Sequence, residues 1–131
     1  MKELFAVLSL VVLLACKKDD NGNPPPDTPS TISMTLPTAN GHYPNATPLN
    51  VRGSITDQDL LKSARVEIKN KANGTMYFSQ TAAVANLPQF NFDWSWTVTG
   101  MTGIVTATVK VTATDRYDRQ TTREVDVFLE D

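Results

Sequence analysis

Four aspartates carry the densest candidate chemistry in the sequence: Asp57 and Asp59, two residues apart, and Asp115 and Asp118, three apart. A hard cation such as calcium is held by about six to eight oxygens, largely carboxylate and carbonyl. Each pair follows an apolar stretch of alternating residues, so each sits where a strand gives way to a loop. If those loops open at one end of a domain, the four carboxylates converge on a candidate calcium site. The competing reading is structural, because aspartate also forms Asx-turns in loops, and Arg116 and Arg119 stand close enough in sequence to neutralise the group.

His42 is the only histidine and Cys16 the only cysteine. One chain therefore cannot assemble a His/Cys transition-metal site or a histidine-based catalytic pair. Paired-carboxylate hydrolysis needs an acid held in an apolar cleft, whereas Asp93 falls on the polar positions of its segment. The chain is not expected to be an enzyme, and no cofactor is expected beyond the candidate calcium. His42 and Tyr43, in a Pro- and Asn-rich loop, and Asn73, in an Asn73-Gly74 turn, are the expected contact residues for a partner. Phe90, Phe92, Trp94 and Trp96 form an aromatic row on alternate positions, facing either the core or, as a stacking platform, a glycan. Their neighbours Gln89, Asn91, Asp93, Ser95 and Thr97 are polar throughout, which assigns the aromatic face to the core.

The elements that position these groups are strands. From residue 31 the dominant period is two: Ile32, Met34, Leu36; Leu49, Val51, Gly53, Ile55; Val66, Ile68; the aromatic row; Val105 to Ala113; and Val125, Val127, Leu129. Asn73-Gly74 is expected to form a type I′ hairpin turn between strands at about 63–70 and 75–81. Residues 58–64 are expected to be loop. With no convincing helical period, the pattern predicts an all-β, seven-stranded immunoglobulin-like β-sandwich over residues 31–131. It resembles the fibronectin type III variety of that fold, although both tryptophans lie on the fifth strand rather than the second.

The start of the chain is of another kind. Met1-Lys2-Glu3 leads into an apolar run from Leu4 to Leu14 broken only by Ser9, then Ala15 and Cys16. A run of about 11 residues suits a signal-peptide core and is short of the ~20 that span a bilayer. Leu13-Leu14-Ala15-Cys16 resembles the lipobox of bacterial lipoproteins. The resemblance implies cleavage before Cys16 and attachment of lipid, including palmitate-like acyl chains, to its thiol. Lys17-Lys18-Asp19-Asp20 resembles the tract that follows the lipidated cysteine in Bacteroidetes-type lipoproteins displayed on the cell surface. The periplasmic face of the outer membrane is the alternative location.

Residues 1–15 are thus read as signal peptide and 16–30 as a lipidated, Pro-rich tether. Residues 17–30 hold almost nothing apolar, and Pro24-Pro25-Pro26 favours extended backbone. The formal net charge of −2, with both signs interspersed, excludes the basic stripe that nucleic-acid binding requires. With Cys16 taken by lipid, no disulfide is available and the apolar core must stabilise the domain alone. The motifs Gly53-Ser54-Ile55-Thr56-Asp57 and Val109-x-Val111-x-Ala113-x-Asp115 resemble small Bacteroidetes-type lipoproteins with one immunoglobulin-like domain. Two readings of function stand: a binding or adhesion module for an envelope protein or glycan, and a structural or accessory subunit of an outer-membrane complex.

Overall fold

The computed structural model describes residues 28–131. The expected signal peptide, Cys16 and most of the tether lie outside the described residues. Six strands are present and no helix among the described residues: β1 (Thr31–Leu36), β2 (His42–Pro44), β3 (Pro48–Asn70), β4 (Met76–Thr97), β5 (Val105–Asp115) and β6 (Gln120–Glu130).

At 23 and 22 residues, β3 and β4 are far longer than the usual ~5–6. They form one antiparallel hairpin that is folded over on itself. Both strands bend at the same level, where Leu60 (φ 67°) and Asn86 (φ 64°) adopt the left-handed conformation and Leu61 faces Leu87. On one side of the bend, β3 pairs with β1 (Thr31 opposite Thr56) and with the second half of β4 (Pro48 opposite Thr97 through Thr56 opposite Gln89). On the other side it pairs with the first half of β4 (Ser63 opposite Ala83) and with β5 (Asn70 opposite Ala107). The second layer continues through β6, antiparallel to β5, to β2, which runs parallel to β6 with His42 opposite Phe128.

Side-chain parity shows how the layers enclose one core. Along β3 the buried positions are odd before the bend (Leu49, Val51, Ile55, then Asp57, Asp59, Leu61) and even after it (Ala64, Val66, Ile68). A one-residue slip flips every side chain to the other face, and the register shift between Leu61 and Ser63 supplies that slip. Val109, Val111, Val127 and Leu129 close the core from β5 and β6, each fully buried, a burial that stabilises by about 1.5–3 kcal/mol for a side chain of this size. Phe92 and Trp94 are buried in the same cluster, and Trp94 lies opposite Val51. Gly53 faces Phe92, and there a Cβ would stand 2.0 Å from the Ser33 carbonyl oxygen and 2.6 Å from Phe92 Cζ.

Four expectations are corrected. The strand count is six, because the expected second and third strands are one continuous strand, as are the fourth and fifth. Residues 58–64 are therefore strand rather than loop, kept extended by bulged pairing to both β4 and β5. In addition, β2 lies inside what reads as a turn region, held by pairing to β6 rather than by any pattern of its own. The hairpin turn is not type I′ either: only Gly74 has positive φ (75°), and its N–H donates to the Asn70 carbonyl at 2.8 Å, closing a loop of residues 71–74.

Candidate functional site

The bend defines two poles. At the entry pole lie Thr31, the bend of β3 from Thr56 to Leu61, and the β5–β6 connection at residues 115–120. At the distal pole lie β2, the 71–74 loop and the loop of residues 98–104.

Asp57, Asp59 and Asp115 converge at the entry pole. All three occupy core-facing positions, with exposures of 6%, 9% and 2%, and a carboxylate oxygen from each lies within 4.8 Å of the others. The strand parity that buries Leu49 to Leu61 also turns Asp57 and Asp59 inward, while β5 delivers Asp115 two residues beyond Ala113. Arg119 lies among them: its Nη2 donates to Asp59 Oδ2 at 2.6 Å and its Nε to Asp115 Oδ2 at 2.7 Å. Asp115 Oδ1 accepts the backbone N–H groups of Tyr117 (2.8 Å) and Arg119 (3.0 Å). Burial opposes the charge on Asp115, but these bonds and the Arg119 guanidinium outweigh it and hold the carboxyl below the ordinary carboxylate range. Asp57 accepts the Asp59 N–H at 2.6 Å on Oδ1 and the Ser30 hydroxyl on Oδ2. Ser30, at the last position of the expected tether, is itself buried at 7% exposure.

Of the four aspartates read as a calcium set, three are thus brought together and Asp118 is not. Asp118 sits on the turn with positive φ, 70% exposed, and pairs with Lys62. Both oxygens of Asp57 and both of Asp115 already accept hydrogen bonds, and Arg119 supplies the counter-charge. A cation entering this cluster would have to displace the guanidinium. As it stands the arrangement is an ion-pair network that ties the bend of β3, the end of β5 and the start of β1 together.

The three expected contact residues all lie at the distal pole, in different roles. His42 is exposed, its ring 4.9 Å from that of Phe128 and its Nδ1 3.4 Å from Glu130 Oε2. Tyr43 is half-buried against the core, and burial pushes its phenol up from the ordinary value. Asn73 shapes its turn by accepting the Thr75 N–H at 2.9 Å, while Asn70 Oδ1 accepts those of Ala72 and Asn73. The aromatic row faces inward: Phe92 and Trp94 are buried, Phe90 and Trp96 half-buried. Trp96 stacks on Tyr77 at 5.9 Å, so its face is taken from the other half of the folded hairpin.

Sequence reasoning missed Asn45, whereas it named Arg119 as a partner of the aspartates without its reach to Asp59. Asn45 clamps the distal loops to each other through both ends of its amide, with no periodic signal to mark it. Arg119 reaches across 60 residues of sequence to Asp59, and only its proximity to Asp115 was visible.

No family model matches the chain, and no curated protein matches it. Among solved structures it is similar to the fibronectin(III)-like modules of Clostridium thermocellum CbhA, with a TM-score of 0.50 and 16% identity over 76% of this chain and 96% of that one. At that identity the likeness concerns fold alone. It agrees with the two-layer strand pairing described above and shows a fibronectin(III)-like, immunoglobulin-like β-sandwich.

Proposed function

We propose that this chain is a cell-envelope lipoprotein, anchored through lipid on Cys16, whose β-sandwich is a non-catalytic binding module. The observation that carries this reading is the polarity of the domain. The chain enters at Ser30 and Thr31, beside the Asp57 cluster, and β2 with the 71–74 and 98–104 loops stands at the other end. A tether from Cys16 then presents His42 and the 71–74 loop away from the membrane, on the cell surface or, failing export across the outer membrane, into the periplasm. The likeness to a fibronectin(III)-like module supports a role in contact rather than catalysis. Two or more acyl chains give stable anchoring without a membrane-spanning helix.

The test has two arms. Cells expressing the chain are labelled with a palmitate analogue, which is expected to mark the wild type and not Cys16→Ser. Intact cells are then treated with protease, where loss of the domain reports surface display and survival reports the periplasmic leaflet. For the contact role, crosslinking at position 42 or 73 is expected to capture an envelope protein that crosslinking at position 62, at the entry pole, does not. Equal capture from both poles would defeat the assignment of the distal pole.

A further inference from the structure

The outward face of the β4–β3–β5–β6 layer is not flat. Side chains at directly opposed positions form ranks across the strands: Ser63 beside Thr114, Arg65 beside Thr112, Glu67 beside Lys110. Ser63, Thr112 and Thr114 are short and form a floor, whereas Arg65, Glu67, Lys110 and Gln120 are long and form a rim. The result is a depression of about 320 Å³ lined only by polar side chains. Recognised small-ligand sites begin at about 300 Å³, so it has room for a compact ligand of one or two rings. Its floor is well set into the protein, with Thr112 at 9% exposure.

The charges of the rim are unevenly matched. Glu67 is nearly buried, with its side chain 12% exposed, and lies 3.3 Å from both Arg65 Nη2 and Lys69 Nζ. Arg65 is further engaged through Nε with Ser79 Oγ at 3.2 Å. Those contacts draw the Glu67 carboxylate to its own strand. Lys110, directly across from it, has no carboxylate oxygen within 4.0 Å among the described residues. One ammonium thus stands at the edge of a hydroxyl-lined floor, opposite Glu67 on β3 and Glu124 on β6 but within ion-pair distance of neither.

The geometry points to a binding site for a carboxylated sugar, a uronic acid unit whose carboxylate pairs with Lys110 while its hydroxyls exchange hydrogen bonds with Ser63, Thr112, Thr114 and Gln120. Hydroxyl and carboxamide groups both donate and accept, as the alternating demands of a sugar ring require. An apolar ligand would leave Lys110 and the floor hydroxyls without partners, and a simple anion would use only the lysine. The site lies on the sheet face, touching the entry pole only at Gln120, so it is independent of the anchoring and distal-pole reading above.

Two-dimensional ¹⁵N–¹H NMR of the chain tests it, with glucuronate, glucose and acetate titrated separately. Glucuronate is expected to shift the amides of Ser63 to Glu67 and Lys110 to Thr114 saturably, with glucose and acetate far weaker. Lys110→Gln is expected to weaken glucuronate binding about three- to fivefold, the scale of a partly exposed ion pair. Thr112→Val, which keeps the side-chain shape and removes the floor hydroxyl, is expected to weaken it as well, and His42→Ala to leave it unchanged. Absence of shifts with glucuronate, equal shifts with acetate, or unaltered binding in both Lys110→Gln and Thr112→Val overturns the assignment.

Discussion

Asn45 and Met101 are joined as two strand residues would be, although neither belongs to a strand. The Asn45 amide donates through Nδ2 to the Met101 carbonyl at 2.9 Å and accepts the Met101 N–H on Oδ1 at 3.0 Å. The loop after β2 is thereby fixed to the loop before β5, where the pairing of β2 with β6 ends.

Asn45→Ala leaves both polar groups of Met101 unpaired in a partly buried site, at a cost of about 1–3 kcal/mol. Urea unfolding should show a lower midpoint with an unchanged slope. The expected fall in Tm is about 4–8 °C for each kcal/mol in a domain of this size.

Among the described residues Arg119 is the cation paired with Asp59 and Asp115, and Arg119→Ala leaves those two carboxylates facing each other at 11% and 3% side-chain exposure. Breaking such a pair costs about 3–5 kcal/mol when both partners are fully buried. Since Arg119 is itself 25% exposed, about 2–4 kcal/mol is expected. Arg119→Lys should recover only part of this, because a single ammonium cannot reproduce the forked contacts. Chelation followed by added calcium should leave the wild-type Tm unchanged, as the Asp57 and Asp115 oxygens are already engaged.

Stability should fall on acidification. Asp126 is held below the ordinary carboxylate value by hydrogen bonds from Lys71 and Thr108, and Asp115 is also lowered, by Arg119 and its backbone partners against the opposing effect of burial. A carboxyl depressed in the folded state contributes stability that is full above its unfolded value, near 3.8. That contribution is lost as pH drops through the folded value. Tm measured against pH should therefore be level from neutrality to about pH 5 and decline below it. Asp126→Asn should flatten part of the decline; an unchanged profile would remove Asp126 from the account.

Gly53→Ala should be the most damaging single methyl in the domain. The added carbon would meet the Ser33 carbonyl oxygen at 2.0 Å and Phe92 at 2.6 Å, and the first of these is backbone in the neighbouring strand. Overpacking of this kind costs about 1–3 kcal/mol, or more where backbone must move. Circular dichroism and thermal melting of Gly53→Ala beside Gly74→Ala separate crowding from conformational strain, since nothing lies within 4 Å of a Cβ at Gly74.

The strands with strict alternation were legible because burial follows sequence parity at Leu49 to Ile55, at Phe90 to Trp96 and along β5. The bend escaped notice because Asp57 and Asp59 continue the inward parity with polar residues, which reads as the end of a strand rather than as its buried continuation. The convergence of Asp57, Asp59 and Asp115 followed from which loops share a pole, whereas the exclusion of Asp118 depends on a single positive φ in its turn. The three residues of β2 held no signal, since their conformation comes entirely from Phe128 to Glu130 in a partner strand distant in sequence.

The place where the chain enters also determines how the domain meets mechanical load. A pull at Ser30, resisted by a partner at the distal pole, runs along the axis of β1. The hydrogen bonds joining β1 to β3 lie across that axis. They are then sheared as a group rather than opened one after another, and Ser30 on Asp57 secures the end at which the force arrives. A tug on the chain from its N-terminal side therefore loads the whole β1–β3 ladder at once.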